Sequence, residues 1–171
     1  MKRNVFYSFH FDNDFWRTMQ VRNMGLVERN IEVSSNDWET IKYQGDQSIK
    51  NWINKNLTGK DCLIVLVGSS TANRKWINYE IETAWNKEMA VLGIRVNYLK
   101  DQFGNQSLNG ANPFHYVNIG NALYRQRMST ITQLHEPNSY CTNSKIWYSH
   151  IYNNIVEWIE IAIIYRYNYN K

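Results

Sequence analysis

The chain has 171 residues, of which 43% are hydrophobic and 20% charged, a balance typical of a soluble globular domain with room for a full core. The net charge of +4 is a mild basic excess without any run of four lysines and arginines, so nucleic acid is not an expected partner. The two cysteines, Cys62 and Cys141, form no CxxC pair, so we expect neither a metal site nor a disulfide framework.

The sequence predicts no targeting or membrane segment. The first 14 residues include two basic side chains but no uninterrupted apolar stretch, so a signal peptide is not expected. The most apolar segment near the other end, residues 155–165, is interrupted by Glu157 and Glu160 and is too short to span a bilayer. We therefore expect a cytoplasmic protein that does not insert into a membrane.

The first part of the chain predicts two strands and one helix. Residues 4–11 (NVFYSFHF) are rich in aromatic and β-branched side chains, which is typical of a strand. Residues 12–14 then predict a turn and helix cap, residues 15–24 predict a helix, and Gly25 is suited to end it. Residues 26–33 predict a second strand, although charged side chains weaken that pattern.

The middle of the chain alternates helices with apolar strands. A long polar loop at 34–45 precedes a predicted helix at 46–57, whose apolar residues recur at helical spacing: Ile49, Trp52, Ile53 and Leu57. The apolar runs at 61–68 and 89–96 predict two buried strands. Residues 74–87 predict the helix between them, with one apolar side formed by Trp76, Ile77, Ile81, Ala84 and Trp85.

The last part of the chain is less regular. Residues 97–143, rich in asparagine, glycine and tyrosine, show no periodicity and are either a functional insertion or a set of elements that the pattern does not reveal. Residues 145–167 predict a closing helix whose apolar stripe is formed by Trp147, Ile151, Ile155, Trp158, Ile159 and Ala162. Ile161 and Ile164 fall off this stripe, which predicts burial on a second side of the helix.

Strands and helices that alternate in this way predict a mostly parallel central sheet with helices on both faces. The predicted fold class is therefore α/β, a three-layer fold that is flavodoxin-like in outline. Because no internal repeat or linker is evident, we expect a single domain over residues 1–171. It comprises a core at about 2–96, an insertion-rich segment at about 97–143 and a C-terminal helix at about 145–167.

Glu80 is the first candidate for a catalytic residue. It lies in the first turns of the helix that follows the central apolar strand, in the run W-I-N-Y-E from Trp76 to Glu80. In open α/β sheets, ligands bind beyond the carboxyl ends of the strands, where helix N-termini and loop amides converge. From position alone, a solvent-exposed glutamate paired with a neighbour is the more ordinary interpretation.

Several other chemistries are excluded or weakly supported. The G-x-G-x-x-G and G-x-x-x-x-G-K-[ST] fingerprints are absent, and the turn at 68–71 is more readily explained as a capping turn than as a phosphate loop. Asp12 and Asp14 follow the first strand, but the central strand ends without the aspartate that a phosphoacceptor needs. No G-x-S-x-G elbow is present to support a triad built on the scattered histidines His10, His115, His135 and His150.

Three motifs together carry a family resemblance over about residues 2–116. The run V-F-Y-S-F-H, residues 5–10, resembles the first strand of TIR domains, and Trp76 with Glu80 resembles the segment that carries the catalytic glutamate of NAD-cleaving TIR domains. The runs N-R-K-W-I-N-Y-E, residues 73–80, and N-P-F-H-Y, residues 112–116, resemble more narrowly a bacterial TIR-like family once labelled DUF1863. That family includes the B component of the Thoeris anti-phage system.

The resemblance implies an enzyme that cleaves NAD⁺ and joins the ADP-ribose to itself. The cyclic ADP-ribose isomer, made during phage infection, would then activate a partner effector that depletes NAD⁺. Carried over, Glu80 is the catalytic carboxylate, NAD⁺ is the substrate, and no metal or helper cofactor is needed. A glutamate with an ordinary pKa of about 4.3 would be ionised at pH 7 and would stabilise the positive charge that develops on the ribose.

Six further residues complete the expected site. Ser8, Phe9 and His10 end the first strand at the same edge as Glu80 and are expected to line the pocket. Three further candidates each have a structural alternative. Trp38 is expected either to stack on a substrate ring or to pack under its own loop, and Arg74 either to bind a phosphate or to lie at the surface. Trp76 is expected either to line the pocket or to hold its helix against the sheet.

Two alternatives to cyclase activity stay open. A catalytically silent TIR-like module would work by protein association, and Glu80→Gln would then have no consequence. A plain NAD⁺ glycohydrolase would yield ADP-ribose instead of a cyclic product. For an active enzyme we expect weak activity at rest, with self-association through the final helix or a phage-derived trigger completing the site. The loop at 34–45 lacks the association loop of eukaryotic TIR adaptors.

Overall fold

The computed structural model describes residues 2–27, 41, 43–121, 123–138 and 142–169. The helices longer than one turn in this part of the chain are α1 (Phe11–Arg22), α2 (Asp46–Leu57), α3 (Lys75–Asn86) and α4 (Ser144–Tyr169). The strands are β1 (Val5–Phe9), β2 (Cys62–Val67), β3 (Ala90–Arg95), β4 (Asn118–Ile119), β5 (Gln126–Arg127) and β6 (Leu134–His135). Two short 3₁₀ helices, Pro113–Tyr116 and Met128–Thr130, complete the set.

Within the described residues, the central sheet has four parallel strands in the order β1-β2-β3-β6. Helices cover both faces of the sheet. Successive residues of a strand point to opposite sides, so a strand that is apolar throughout has side chains to bury on each face. Along β2, one face presents Leu63, Val65 and Val67 to the helices α2 and α3, and the other presents Cys62, Ile64 and Leu66 to α1 and α4. This three-layer α/β arrangement confirms the predicted fold class.

The C-terminal helix is confirmed, but one of its two predicted buried sides is not. Trp147, Ile151, Ile155 and Ile159 recur every four residues and are buried against β2 and β3. The predicted second buried side is wrong, because Ile161 and Ile164 are 51% and 59% exposed. No helix among the described residues is long and apolar enough to cross a membrane.

The first strand is shorter than predicted, and the first helix starts four residues earlier. The backbone N–H of Asp14 already donates to the carbonyl of His10 at 2.9 Å, so Phe11 is the first helical residue and not the end of a strand. Asp12 and Asp14 lie in the first turn, where negative charge complements the helix dipole. Leu26 and Val27 are not in a strand, and the remainder of the predicted strand at 26–33 lies outside the described residues.

The segment at 97–143 contributes β6 to the central sheet. Its remaining described elements are the antiparallel strands β4 and β5, of two residues each, and the two 3₁₀ helices. Elements of two to four residues are too short to show a hydrophobic period, which explains why the pattern did not reveal them. Asn112, in the N-P-F-H-Y run, caps the first 3₁₀ helix by accepting a hydrogen bond from the Phe114 N–H at 2.9 Å, and Phe114 is fully buried.

Candidate active site

A pocket of about 770 Å³ opens where the carboxyl end of β1 meets the start of α3. This volume lies within the range of small-molecule sites. The crevice beyond the carboxyl ends of parallel strands is where open α/β sheets bind their ligands. The lining residues are Phe6, Tyr7, Phe9, His10, Phe11, Asp12, Trp52, Ser70, Ala72, Asn73, Arg74, Lys75, Trp76, Ile77 and Glu80.

Glu80 is a buried carboxyl on the wall of this pocket. Only 7% of the residue is exposed, and its Oε2 accepts a hydrogen bond of 2.5 Å from the hydroxyl of Ser8. Ser8 lies on β1, which is held in register with β2 by parallel pairing, with Ser8 opposite Val65. The exposed, surface-paired interpretation of Glu80 is therefore wrong.

The ionisation of Glu80 differs from the expectation. Burial raises the pKa of Glu80 to about 7, and the Ser8 hydrogen bond opposes this rise by favouring the charged form. An ordinary pKa of about 4.3 was expected from the residue type alone. Near pH 7 Glu80 is therefore a mixture of protonated and ionised forms, which is the condition of a group suited to proton transfer.

Basic side chains and free amides surround the mouth of the pocket. Arg74 immediately precedes α3, and its Nε donates to the Ser70 carbonyl at 2.7 Å. The first turn of α3 has no acidic residue, and no side chain in the described part of the chain caps it, so its backbone N–H groups are suited to an anion. His10 lies 3.9 Å from the Asp12 carboxylate, and burial together with Arg74 lowers the pKa of His10.

Aromatic rings form the opposite walls. Phe9 and Phe11 lie with ring centres 6.0 Å apart at the junction of β1 and α1. Trp76 is half-buried, packs partly against the core and carries the Lys75 ammonium 4.7 Å from its ring centre. Trp52 reaches the pocket from α2, in edge contact with Phe6. These flat apolar surfaces suit the planar rings of a nucleotide.

The turn at 68–71 borders the pocket, since Ser70 is one of the lining residues. The Thr71 hydroxyl accepts a hydrogen bond from the Gly68 N–H at 2.8 Å, which closes the turn on itself. The predicted capping role is wrong, because the N-cap of α3 is Arg74, which makes no side-chain cap hydrogen bond among the described residues. Asp14 fills the space beside Gly68, and burial raises the pKa of Asp14 to about 6 while the neighbouring Arg17 opposes the rise. Asp14 is thus a structural carboxyl beneath the site.

The structure brings most of the predicted site residues together. Phe9, His10, Arg74, Trp76 and Glu80 all line the pocket. Ser8 does not line it and instead contacts Glu80 from inside the protein. Trp38 lies outside the described residues.

Sequence reasoning missed Trp52, Phe11 and Lys75 as lining residues. Trp52 fitted the apolar stripe of α2 and was assigned to the core, and Phe11 was assigned to the strand. Lys75 stands beside the predicted Arg74 at a helix start, which was a usable signal. Only the packing of α2 against β1 shows that Trp52 faces a cavity.

A parallel sheet between two helical layers, with a pocket at the carboxyl edge and a buried glutamate in its wall, places the chain in the class of TIR-like α/β domains. The family model described as "Thoeris protein ThsB, TIR-like domain" matches residues 6–101, and the chain belongs to this family. The matched region runs from the second residue of β1 to beyond the end of β3 and includes every residue that lines the pocket.

A curated protein of Bacillus cereus (strain MSX-D12) is 37% identical to the chain over 123 residues. This relative is named "Putative cyclic ADP-D-ribose synthase ThsB1". The similarity covers 68% of this chain and 64% of that relative, so the chain spans less than two thirds of the relative's length.

Proposed function

We propose that the protein cleaves the bond between nicotinamide and ribose in NAD⁺ and closes the ADP-ribose into a cyclic isomer. The observation that carries this proposal is Glu80, a buried carboxyl on the wall of the pocket, held by Ser8 at 2.5 Å. Membership of the family and the name of the Bacillus cereus relative support it.

The first step is departure of nicotinamide. The bond from ribose C1′ to the ring nitrogen breaks, its electron pair moves to nitrogen, and nicotinamide leaves as a neutral molecule. Positive charge develops on the ribose. The Glu80 carboxylate stabilises that charge where it forms, and loss of a preorganised group of this kind typically costs about 10²–10³-fold in rate.

The substrate itself favours the ionised form of Glu80. The nicotinamide ring of NAD⁺ is cationic, and a nearby positive charge lowers the pKa of a carboxyl. The buried group, with its pKa near 7 in the empty pocket, would therefore lose its proton when NAD⁺ binds. The ionised carboxylate would then be present when the bond breaks.

The rest of the pocket suits the other parts of NAD⁺. Arg74 and the first-turn amides of α3 suit the diphosphate, because they combine a cation with free N–H donors. The rings of Phe9, Trp52 and Trp76 suit the adenine or nicotinamide ring. His10 completes the substrate contacts at the end of β1.

In the second step, a nucleophile of the same ADP-ribose molecule attacks C1′. If it is a ribose hydroxyl, its oxygen forms the new bond and its proton passes to Glu80 or to solvent. Water attacking the same carbon would give ADP-ribose instead. Cyclisation therefore requires that the bound substrate hold this nucleophile closer to C1′ than any water molecule.

We extend the proposal to the system that the family name indicates. A single TIR-like domain would make the cyclic product after a phage-derived trigger or self-association, and the product would activate an NAD⁺-depleting effector. No other cofactor takes part, since NAD⁺ is consumed as substrate.

The test compares wild type, Glu80→Gln and Glu82→Gln. Glu82 is an exposed glutamate two residues further along the same helix, which makes it a matched control. Each variant is incubated with NAD⁺, and each is also expressed in phage-challenged cells whose small molecules are analysed by mass spectrometry. We expect a species of cyclic ADP-ribose mass from wild type and Glu82→Gln only.

Other products would decide against the proposal in distinct ways. ADP-ribose without a cyclic species would show a hydrolase. Absence of any NAD⁺-derived product across a broad phage panel, with wild type and Glu80→Gln equally protective, would show a binding module.

A further inference from the structure

We propose that Ser8 is a positioning residue for Glu80, holding Oε2 from inside the protein so that Oε1 is the oxygen presented to the substrate. The inference rests on the proposed function and revises the expectation that Ser8 touches the substrate. Its basis is geometric: the Ser8 hydroxyl donates to Oε2 at 2.5 Å, and Ser8 is 1% exposed.

Ser8 has no access to the pocket. Glu80 belongs to the lining and Ser8 does not, and the buried Ser8 hydroxyl contacts the carboxyl. Among the described residues, Oε2 accepts its hydrogen bond from Ser8, and no hydrogen bond reaches Oε1. A carboxyl held by one oxygen in this way keeps the other available for a ribose hydroxyl.

The sheet gives this contact its rigidity. Ser8 pairs with Val65 of the fully buried β2, so its Cα cannot shift without disturbing the parallel register. Glu80 lies on α3 between the buried residues Ile77 and Ile81, which fix the other end of the contact. Catalytic groups need such support, because a displacement of about 1 Å can cost about 100-fold in rate.

The hydroxyl also opposes the effect of burial on Glu80. The remaining ionisable groups at the pocket are Tyr7, His10 and Asp12 on the β1 and α1 side and Arg74 and Lys75 at the start of α3. None of them makes a hydrogen bond to Glu80 within the described part of the chain. Ser8 is thus the direct donor that favours the ionised carboxylate.

The experiment titrates Glu80 by ¹³C NMR in protein labelled at the glutamate carboxyl carbon. The Glu80 signal is identified by its loss in Glu80→Gln. Ser8→Ala removes the donor, and Ser8→Cys replaces it with a weak donor of similar size. Thr18→Val is the matched control, because Thr18 is a fully buried residue of α1 whose hydroxyl has no partner among the described residues.

We expect the midpoint of the Glu80 titration to rise by about 1–2 pH units in Ser8→Ala, less in Ser8→Cys and not at all in Thr18→Val. The kcat/KM for NAD⁺ cleavage at pH 7 should fall roughly 5-fold to 50-fold in Ser8→Ala, and the loss should shrink as the pH rises to about 9.5. A merely structural role would lower the rate equally at every pH.

The two proposals fail in different ways. An unchanged Glu80 midpoint in both folded Ser8 variants would overturn the role of Ser8, whatever their activity. If Ser8→Ala does not fold, Ser8→Cys decides the point alone. A raised midpoint in a protein whose wild type never cleaves NAD⁺ would support the Ser8–Glu80 contact and reject the proposed chemistry.

Discussion

The guanidinium of Arg166 lies 4.2 Å from the ring centre of Trp85, and its Nη2 donates to the Trp85 carbonyl at 3.0 Å. Arg166 belongs to α4, and Trp85 lies in the last turn of α3, the helix that carries Glu80. The Trp85 carbonyl also accepts the backbone N–H of Glu88 at 3.0 Å, so Arg166 is its second donor. A cation at a helix C-terminus complements the helix dipole. The C-terminal part of α4 thus holds the last turn of α3, the helix of the candidate site, through Arg166.

Arg166→Ala should destabilise the protein by about 2–4 kcal/mol. The residue is buried, so the substitution removes the carbonyl hydrogen bond, the contact with the Trp85 ring and the packing of the long side chain. Urea unfolding followed by circular dichroism measures the loss. Lys145→Ala, an exposed cation at the other end of α4, should change the free energy of unfolding by less than about 0.5 kcal/mol. Equal effects of the two substitutions would show that Arg166 does not fasten α3.

Glu80→Gln should stabilise the protein at alkaline pH. The folded-state pKa of about 7 is well above the ordinary value, so the folded protein binds the Glu80 proton more tightly than the unfolded chain. This contribution to stability is complete below about pH 4.5 and is lost as the pH rises through 7. Glutamine resembles the protonated form, so its advantage should approach a value on the order of 3 kcal/mol above pH 8.

The measurement is the melting temperature of wild type and Glu80→Gln between pH 4.5 and 9. The difference should be small at the acid end and grow with pH. A difference that is constant across this range would contradict a buried carboxyl with a raised pKa.

The rate of NAD⁺ cleavage should rise with pH around neutrality. If the ionised Glu80 carboxylate is required, kcat/KM should increase through a midpoint near 7 and reach a plateau, since kcat/KM reports ionisations of the free enzyme. Because bound NAD⁺ favours the carboxylate, the midpoint for kcat should lie at lower pH. Steady-state kinetics from pH 5.5 to 9 measure both, and an activity that falls as pH rises through 7 would assign the opposite protonation state.

Gly68→Ala should be destabilising by about 1–3 kcal/mol, because an added Cβ would lie 2.1 Å from Oδ2 of Asp14. The test is a double-mutant cycle of unfolding free energies. In an Asp14→Ala background the clashing oxygens are gone, so Gly68→Ala should cost markedly less than in wild type. Additive costs would mean that Asp14 does not occupy the space beside Gly68.

Ile155→Ala and Ile164→Ser should differ strongly although both change an isoleucine of α4. Ile155 is buried, and its truncation should cost about 2–5 kcal/mol. Ile164 is exposed, and its substitution should change stability by less than about 0.5 kcal/mol in dilute solution. If Ile164→Ser lowered the free energy of unfolding as much as Ile155→Ala does, Ile164 would be buried in solution as first predicted. A second copy of the chain is one partner that could bury it.

Much of the fold was predictable because its core elements have strong periods. The run at β2 is apolar throughout and the run at β3 carries no charge before Arg95, as expected of strands buried on both faces. The four-residue spacing of Trp147, Ile151 and Ile155 indicates a helix packed on a sheet. The start of α1 was misjudged because Phe11 suits a strand by type, whereas its backbone continues the helix that Asp12 and Asp14 favour. The edge strand β6 was missed because two residues carry no period.

The sequence by itself determined the class of the fold, the chain positions of the central strands, and Glu80 as the residue of interest, because hydropathy patterns and short motifs are local properties. Only the tertiary structure decided that Glu80 is buried and that the Ser8 hydroxyl donates to it from inside the protein. The pKa of Glu80, near 7, follows from that environment. Burial, contact and ionisation depend on which distant segments pack together, and β1 and α3 are separated by more than 60 residues along the chain. The same packing turned Trp52 toward a cavity and left Ile164 in solvent.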